Sequence, residues 1–303
     1  MTLIITTVSP NVVTMVGDRR LTTPSGQVFN ENVSKQGYLV THDACALYAY
    51  TGIAIAGSFN LQHWIGDTLL SLTKLVEVPF YELMTSLALQ ATHTFNNHPN
   101  LRTIPLAERH TTIIFAGYAA NSDPIFALVS NFEDEKEFPY ITPWSDFKAT
   151  VTRADANKPE SSMTILTGNF LSLKFSRWEQ LNKLVLQQKS SKTLIQRSRA
   201  LLLEASENPN SKNTIGRNQL AAYLNAPQNG APSFPTTRFI SDNGTNSIHA
   251  LDIVDVRSGT QRFVRDVTIE IDSAASLYPK QRPNDKCSCN SGKKYKKCHG
   301  QIK

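Results

Sequence analysis

The stretch TLIITTVSPNVVTMVGD, residues 2–18, decides how the rest of the chain is read. Residues 3–8 (LIITTV) and 12–16 (VVTMV) are short apolar runs rich in β-branched residues, a composition that favours strands. Ser9-Pro10-Asn11 between them is a turn signal, because Pro fixes φ while Ser and Asn bond back to nearby backbone. Gly17 ends the second run. Working outward, 22–26 (TTPSG) is a loop, and 28–29, 38–40 and 44–50 are further strand pieces in a hairpin-rich opening. From Gly57 the apolar period changes. Phe59, Trp64, Ile65, Leu69, Leu70, Leu72 and Leu75 suit one amphipathic helix, and Leu83, Met84, Leu87, Leu89 and Ala91 a second. Strands return at 111–118, 124–130 and 163–167. A helical stretch covers 175–205 with a break near 190–191, a polar linker covers 208–213, and 218–224 reads as a short helix. Strands are expected at 236–240, 247–256 and 262–271. This order gives an α+β layered domain rather than a regular βαβ alternation.

The chain has 303 residues, 40% of them hydrophobic and 18% charged. That suffices for a core and excludes a disordered chain. The 15 Pro and 14 Gly are scattered, which excludes a coiled coil. No apolar run reaches the roughly 18 residues of a membrane-spanning helix. The opening lacks the basic and long apolar regions of a secretory signal, so the expectation is a cytoplasmic protein with no membrane partner. The net charge of +6 is concentrated at one end: residues 280–303 hold eight of the 31 Lys/Arg but one of the 25 Asp/Glu, leaving 23 positive and 24 negative groups elsewhere. A neutral body argues against a nucleic-acid groove. The basic tail suits an acidic partner.

Residue 2 follows the first Met as a small Thr, a pair from which Met is normally trimmed, which would make Thr2 the first residue. Such a Thr carries hydroxyl and free amine together. The α-amine, with a reference pKa of about 7.7–8.0, is partly neutral at physiological pH and can activate its own Oγ. Taken singly, each residue has a plainer reading: Thr2 a strand residue, Asp18 a turn residue beside Arg19 and Arg20, Lys35 a solvated lysine, Gly52 a strand-end turn. Order and spacing say more. The second strand closes as Gly17-Asp18, with Asp18 sixteen positions after Thr2. Asn32-Val33-Ser34-Lys35 follows the TTPSGQVFNE loop, and AYTG at 49–52 ends an apolar strand just before a helical pattern. In these features residues 2–57 resemble the start of proteasome β-type subunits, in particular the bacterial proteasome-like peptidase of the N-terminal-nucleophile hydrolase superfamily. Leu3 after the Thr, Gly52-Ile53 in place of Gly-Gly, and a loop one residue longer before Lys35 depart from that pattern.

The resemblance implies a four-layer αββα sandwich over residues 1–275. It implies Thr2 Oγ as nucleophile with its α-amine as proton acceptor, and Lys35 as a nearby positive charge that lowers the nucleophile's pKa. Asp18 would hold Lys35, and the Gly52 N–H would donate to an oxyanion. Thr167, in TILTG, would match a serine in a glycine-flanked turn. The implied activity is hydrolysis of an amide bond, in a peptide or a small amide, through an acyl-enzyme. The alternatives are an inactive scaffold that recruits a partner, and a non-peptide amidohydrolase. A homo-oligomer is compatible with each.

Three of the four cysteines fall together, as Cys287, Cys289 and Cys298, with His299 adjacent. A disulfide scaffold would spread its cysteines along the chain. Three thiols and an imidazole instead make the closed donor set of a structural Zn²⁺ site. Cys45, in an apolar run, reads as a small buried hydrophobe. The tail closely resembles the SEC-C motif, a zinc module named for the C-terminus of the bacterial preprotein-translocation ATPase, including its Ser-Gly-Lys-Lys-Tyr-Lys-Lys core. The expected division is therefore a domain at 1–275, a linker at 276–284 and the zinc module at 285–303. The resemblance implies that this module docks a protein or ribosomal partner.

Overall fold

A computed structural model describes residues 2–23, 27–31, 33–133, 143–156, 158, 162–227, 236–240, 251–264, 284 and 294. The described residues form a mixed α+β fold with two large sheets and five α-helices. Strands β1 (Leu3–Val8) and β2 (Val12–Asp18) form the expected hairpin, Ile4 opposite Gly17 and Val8 opposite Val13. The turn closes as its residue types dictate: Ser9 Oγ accepts from the Val12 N–H at 3.2 Å and donates to the Val12 carbonyl at 2.8 Å.

The opening continues through β3 (Leu21–Thr22), β4 (Val28–Asn30), β5 (Gln36–Val40), β6 (Ala44–Gly52), β7 (Ile55–Ala56) and β8 (Phe59–Asn60). Helix α1 (Leu61–Thr73) starts where the Asn60 side chain accepts from the His63 N–H. Then come α2 (Phe80–Asn97), α3 (Pro99–Arg102), β9 (Thr111–Ala119), β10 (Pro124–Ser130), β11 (Lys148–Arg153) and β12 (Met163–Gly168). The second helical stretch divides as its sequence suggests, into α4 (Phe175–Leu186) and α5 (Ser191–Glu207), the latter capped by Ser190. The chain ends its described course in β13 (Gln219–Asn225), β14 (Thr236–Ile240), β15 (Leu251–Asp255) and β16 (Thr260–Val264).

The expected short helix at 218–224 is corrected to a strand. β13 runs antiparallel to β2 on one side and β14 on the other. Ala222 and Leu224 face the other sheet while Ala221 faces the helices, so both faces are buried and no polar alternation marks the strand. One sheet has the order β12-β1-β2-β13-β14, the other β11-β10-β9-β6-β5-β15-β16.

Three hydrophobic clusters hold these elements. Leu61, Ile65, Leu83, Met84 and Leu87 of α1 and α2 pack on Tyr48, Tyr50, Ile113 and Phe115 of the seven-stranded sheet. Ile4, Val13 and Met15 of the five-stranded sheet meet Leu47, Ile114 and Leu128 of the seven-stranded one. Leu3, Ile5 and Val16, on the opposite face of their strands, pack with Leu181, Val185, Leu194 and Leu202 of α4 and α5. Each large side chain so buried contributes about 1.5–3 kcal/mol. Among the described residues no helix is long and apolar enough to cross a membrane.

Candidate active site

Thr2 stands at the head of β1. Strand alternation puts its side chain on the same face as Ile4, toward the other sheet. Its carbonyl accepts from the Asn169 N–H at 2.9 Å, just beyond the end of β12. The next N–H, that of Leu3, donates to Asp18 Oδ1 at 3.0 Å. The head of β1 is thus fixed on both sides, by the Asn169 N–H and by the Asp18 carboxylate, and Thr2 is only 6% exposed.

Lys35 lies one residue before β5, in the other sheet, and is buried. Its ammonium donates to Thr2 Oγ1 and to the Arg20 carbonyl, and it forms an ion pair with Asp18 Oδ2 at 3.6 Å. Asp18 is buried too, and its carboxylate also accepts from the Arg20 N–H at 3.1 Å and the Gly216 N–H at 3.2 Å. These bonds supply the partners that a buried charge requires. Burial pushes the Lys35 ammonium below the ordinary lysine range; the charge of Asp18 opposes this, and Arg19 and Arg20 reinforce it. The structure therefore brings Thr2, Asp18 and Lys35 together and keeps the lysine out of solvent.

Gly52 ends β6 at φ +90°, and a Cβ there would lie 2.0 Å from the His110 carbonyl oxygen. Only glycine fits that backbone and that contact. The neighbouring Thr51 reaches Gly168, since a Cβ on Gly168 would come within 3.1 Å of the Thr51 methyl and 2.0 Å of the Thr2 carbonyl oxygen. Gly168 also has positive φ, +92°. Thr167 pairs with Ile4, one step inward from Thr2. Its hydroxyl is buried and has no hydrogen-bond partner among the described residues.

Sequence reasoning missed Gly168, Asn169 and Glu133. The first two could have been found in the Thr-Gly-Asn string closing a strand. Glu133 sits next to a run of acids that carries no spacing signal, yet its Oε1 accepts from the Gly168 N–H at 2.8 Å. Burial pushes its carboxyl up to about 7, against the stabilising bonds from Gly168 and Thr112. His110, its ring tilted against that of Phe132 with centroids 5.2 Å apart, is pushed down, chiefly by burial. Cys287, Cys289, Cys298 and His299 lie outside the described residues. Among the described residues no cluster of His, Cys, Asp or Glu could hold a metal ion. Cys45 is buried, as its apolar surroundings suggest.

A family model described as the SEC-C motif matches residues 284–301. No curated protein matches the chain. The solved structures that match correct the expected kinship with proteasome β-type and bacterial proteasome-like peptidase subunits, because they bear another name, Anbu, or ancestral beta-subunit. The helical assembly of the Anbu complex from Pseudomonas aeruginosa matches at 10% identity and TM-score 0.49, over 78% of this chain and 86% of that one. Anbu from Yersinia bercovieri matches at 10% identity and TM-score 0.47 over the same shares. A Gly-1 mutant of Anbu from Hyphomicrobium sp. strain MC1 matches at 10% identity and TM-score 0.48, over 78% of this chain and 87% of that one. These likenesses are of outline, and no residue's role is taken from them.

Proposed function

We propose that this chain is a threonine-type N-terminal-nucleophile hydrolase of αββα arrangement that cleaves amide bonds, in the first place those of peptides. The observation that carries this reading is the buried Lys35 ammonium on the Thr2 hydroxyl, with Asp18 behind it. Loss of Met1 frees an α-amine on Thr2 with an ordinary pKa of about 7.7–8.0. Thr2 Oγ then attacks the substrate carbonyl carbon while its proton passes to that amine. The Gly52 N–H donates to the oxygen that gains charge. The C–N bond breaks, the departing amine takes the proton back, and an ester remains on Thr2. Water attacks the ester, its proton passes through the same amine, and the acid leaves as Oγ regains its hydrogen. Lys35 keeps the amine neutral by charge repulsion and steadies the developing alkoxide, and Asp18 holds Lys35. Thr167, with a spare hydroxyl beside the strand head, serves as an additional donor or acceptor.

The tail donors, Cys287, Cys289, Cys298 and His299, suit a structural Zn²⁺ ion by chemistry, three thiolates and an imidazole with no position left open. Bound metal supplies the folding energy that so short a segment lacks. The basic module at 285–303 then docks a protein or ribosomal partner, beyond the linker at 276–284. A cytoplasmic setting keeps its thiols reduced.

The test is intact-mass analysis of untagged protein before and after a β-lactone electrophile. Loss of Met1 and one adduct on wild type, with none on Thr2→Ala, is expected. Retained Met1, or equal labelling of both, rules the mechanism out. A processed but unreactive Thr2 favours the scaffold reading, and a reactive Thr2 that leaves a peptide library intact favours a small amide.

A further inference from the structure

The carboxyl of Glu133 reaches from one sheet to the other at the end where Thr2 lies. β12 is an edge strand, and the Asn169 N–H that follows it points at β1 to hold the Thr2 carbonyl. Successive N–H groups along a strand face opposite ways. The Gly168 N–H therefore points away from β1, where no strand among the described residues receives it, and Glu133 Oε1 accepts it at 2.8 Å. The carboxyl is held there by a stiff turn after β10. Ser130 Oγ accepts from the Phe132 and Glu133 N–H groups at 2.9 and 2.8 Å and bonds the Thr112 hydroxyl at 2.7 Å. The Asn131 side chain accepts from the Thr111 N–H at 2.9 Å and donates to the carbonyls of Arg109 and Trp144. So a rigid turn of the seven-stranded sheet grips a glycine that touches the Thr2 carbonyl, on the side opposite Asp18.

We propose that Glu133 is a positioning residue for the Thr2 nucleophile, fixing the Gly168–Asn169 turn against the head of β1 so that the hydroxyl stays within reach of Lys35. This rests on Thr2 being the nucleophile. Desolvation pushes the carboxyl of the half-buried Glu133 up to about 7, and the groups that stabilise its charge are the Gly168 N–H and the Thr112 hydroxyl. The titratable groups on the elements meeting here are His110 at the entry to β9, Asp18 at the end of β2 and Lys35 before β5. Reactivity should therefore show a step near neutral pH to which Glu133 contributes.

The experiment measures the rate of β-lactone labelling of Thr2, by intact mass, in full-length processed protein from pH 5.5 to 8.5. Misplacing a reacting group by about 1 Å can cost about 100-fold, and a loss of that order is expected for Glu133→Ala. Glu133→Asp keeps the charge but is one methylene too short, and should lose rate similarly. Glu133→Gln keeps an acceptor oxygen at full reach; it should recover most of the rate and lose the part of the step near pH 7 that Glu133 contributes, leaving that of the α-amine. Thermal melts identify a variant that does not fold, and the Gln and Asp forms still decide the matter if the Ala form fails. Wild-type rates in Glu133→Ala and Glu133→Asp, or a Gln form as slow as the Ala form with its pH step intact, overturn the positioning role while leaving Thr2 as nucleophile. A wild-type protein that never labels removes the nucleophile and the positioning role together, so the two failures are distinct.

Discussion

The Lys35 ammonium donates to the hydroxyl of Thr2, 33 positions away in sequence and in the other sheet. The contact exists because the loop between β2 and β5 carries the chain from one sheet to the other. It leaves Lys35 at the entry to β5, with Asp18 at the exit from β2. Removing either ionic partner should abolish reactivity, but the stability costs should differ.

Asp18→Ala strands a buried lysine and three backbone N–H groups, from Leu3, Arg20 and Gly216. Urea unfolding should show a loss of about 3–5 kcal/mol, the usual cost of breaking a buried ion pair from one side. Lys35→Met leaves Asp18 with those three donors and should cost clearly less. Equal losses would mean that the backbone bonds to Asp18 contribute little.

Glycines at 52 and 168 should not tolerate a methyl group. Each has positive φ and would press a Cβ to 2.0 Å from a carbonyl oxygen. Alanine at either position should lower stability by more than about 3 kcal/mol, in the tail of single-substitution effects. Gly259 is the control, with φ +64° and nothing within 4 Å of its Cβ position. There alanine should cost only about 1–2 kcal/mol, for the left-handed backbone alone. Thermal or urea melts of the three variants separate these cases.

Glu133 also predicts how stability responds to pH. Its carboxyl is raised from 4.5 to about 7 in the folded chain, so between those values the native state keeps a proton that the unfolded chain has released. Stability must then fall as pH rises through that window and level off above it. Glu133→Gln should remove this slope. Lys35 acts in the opposite sense: its lowered value means stability is gained as pH climbs toward the ordinary lysine value of 10.5. Urea midpoints measured at several pH values for wild type, Glu133→Gln and Lys35→Met test both signs.

Native mass spectrometry should find one zinc per chain. Cys287→Ser or Cys298→Ser should weaken or abolish its retention, because a structural site needs all four ligands. Thr2 labelling by the β-lactone should continue at the wild-type rate after chelation. Loss of labelling would tie the tail to the catalytic body.

Much of this was legible in the sequence where local chemistry and long-range order agree. The β1–β2 hairpin is written in β-branched runs around Ser9-Pro10-Asn11, and its boundaries match the structure closely. Thr2, Asp18 and Lys35 stand out only through the family resemblance of residues 2–57, since taken singly each has a plainer reading. The strand Gln219–Asn225 was not legible, because burial on both faces erases the polar alternation that distinguishes strand from helix. The half-exposed edge strand Lys148–Arg153 has too few apolar residues to stand out. Glu133 was hidden for a different reason. Its partner is a backbone N–H, and no side-chain pattern records where an edge strand leaves one unpaired.

The enclosure of Thr2 also bears on how the protein can be handled. Thr2 is buried, its carbonyl bonded to the Asn169 N–H and its hydroxyl to the Lys35 ammonium, so a purification handle is better placed away from it. The opposite terminus carries the cysteine-rich motif, so a handle there competes with metal loading. The exposed bend at Gly259, where nothing crowds the Cβ position, is another place for an epitope.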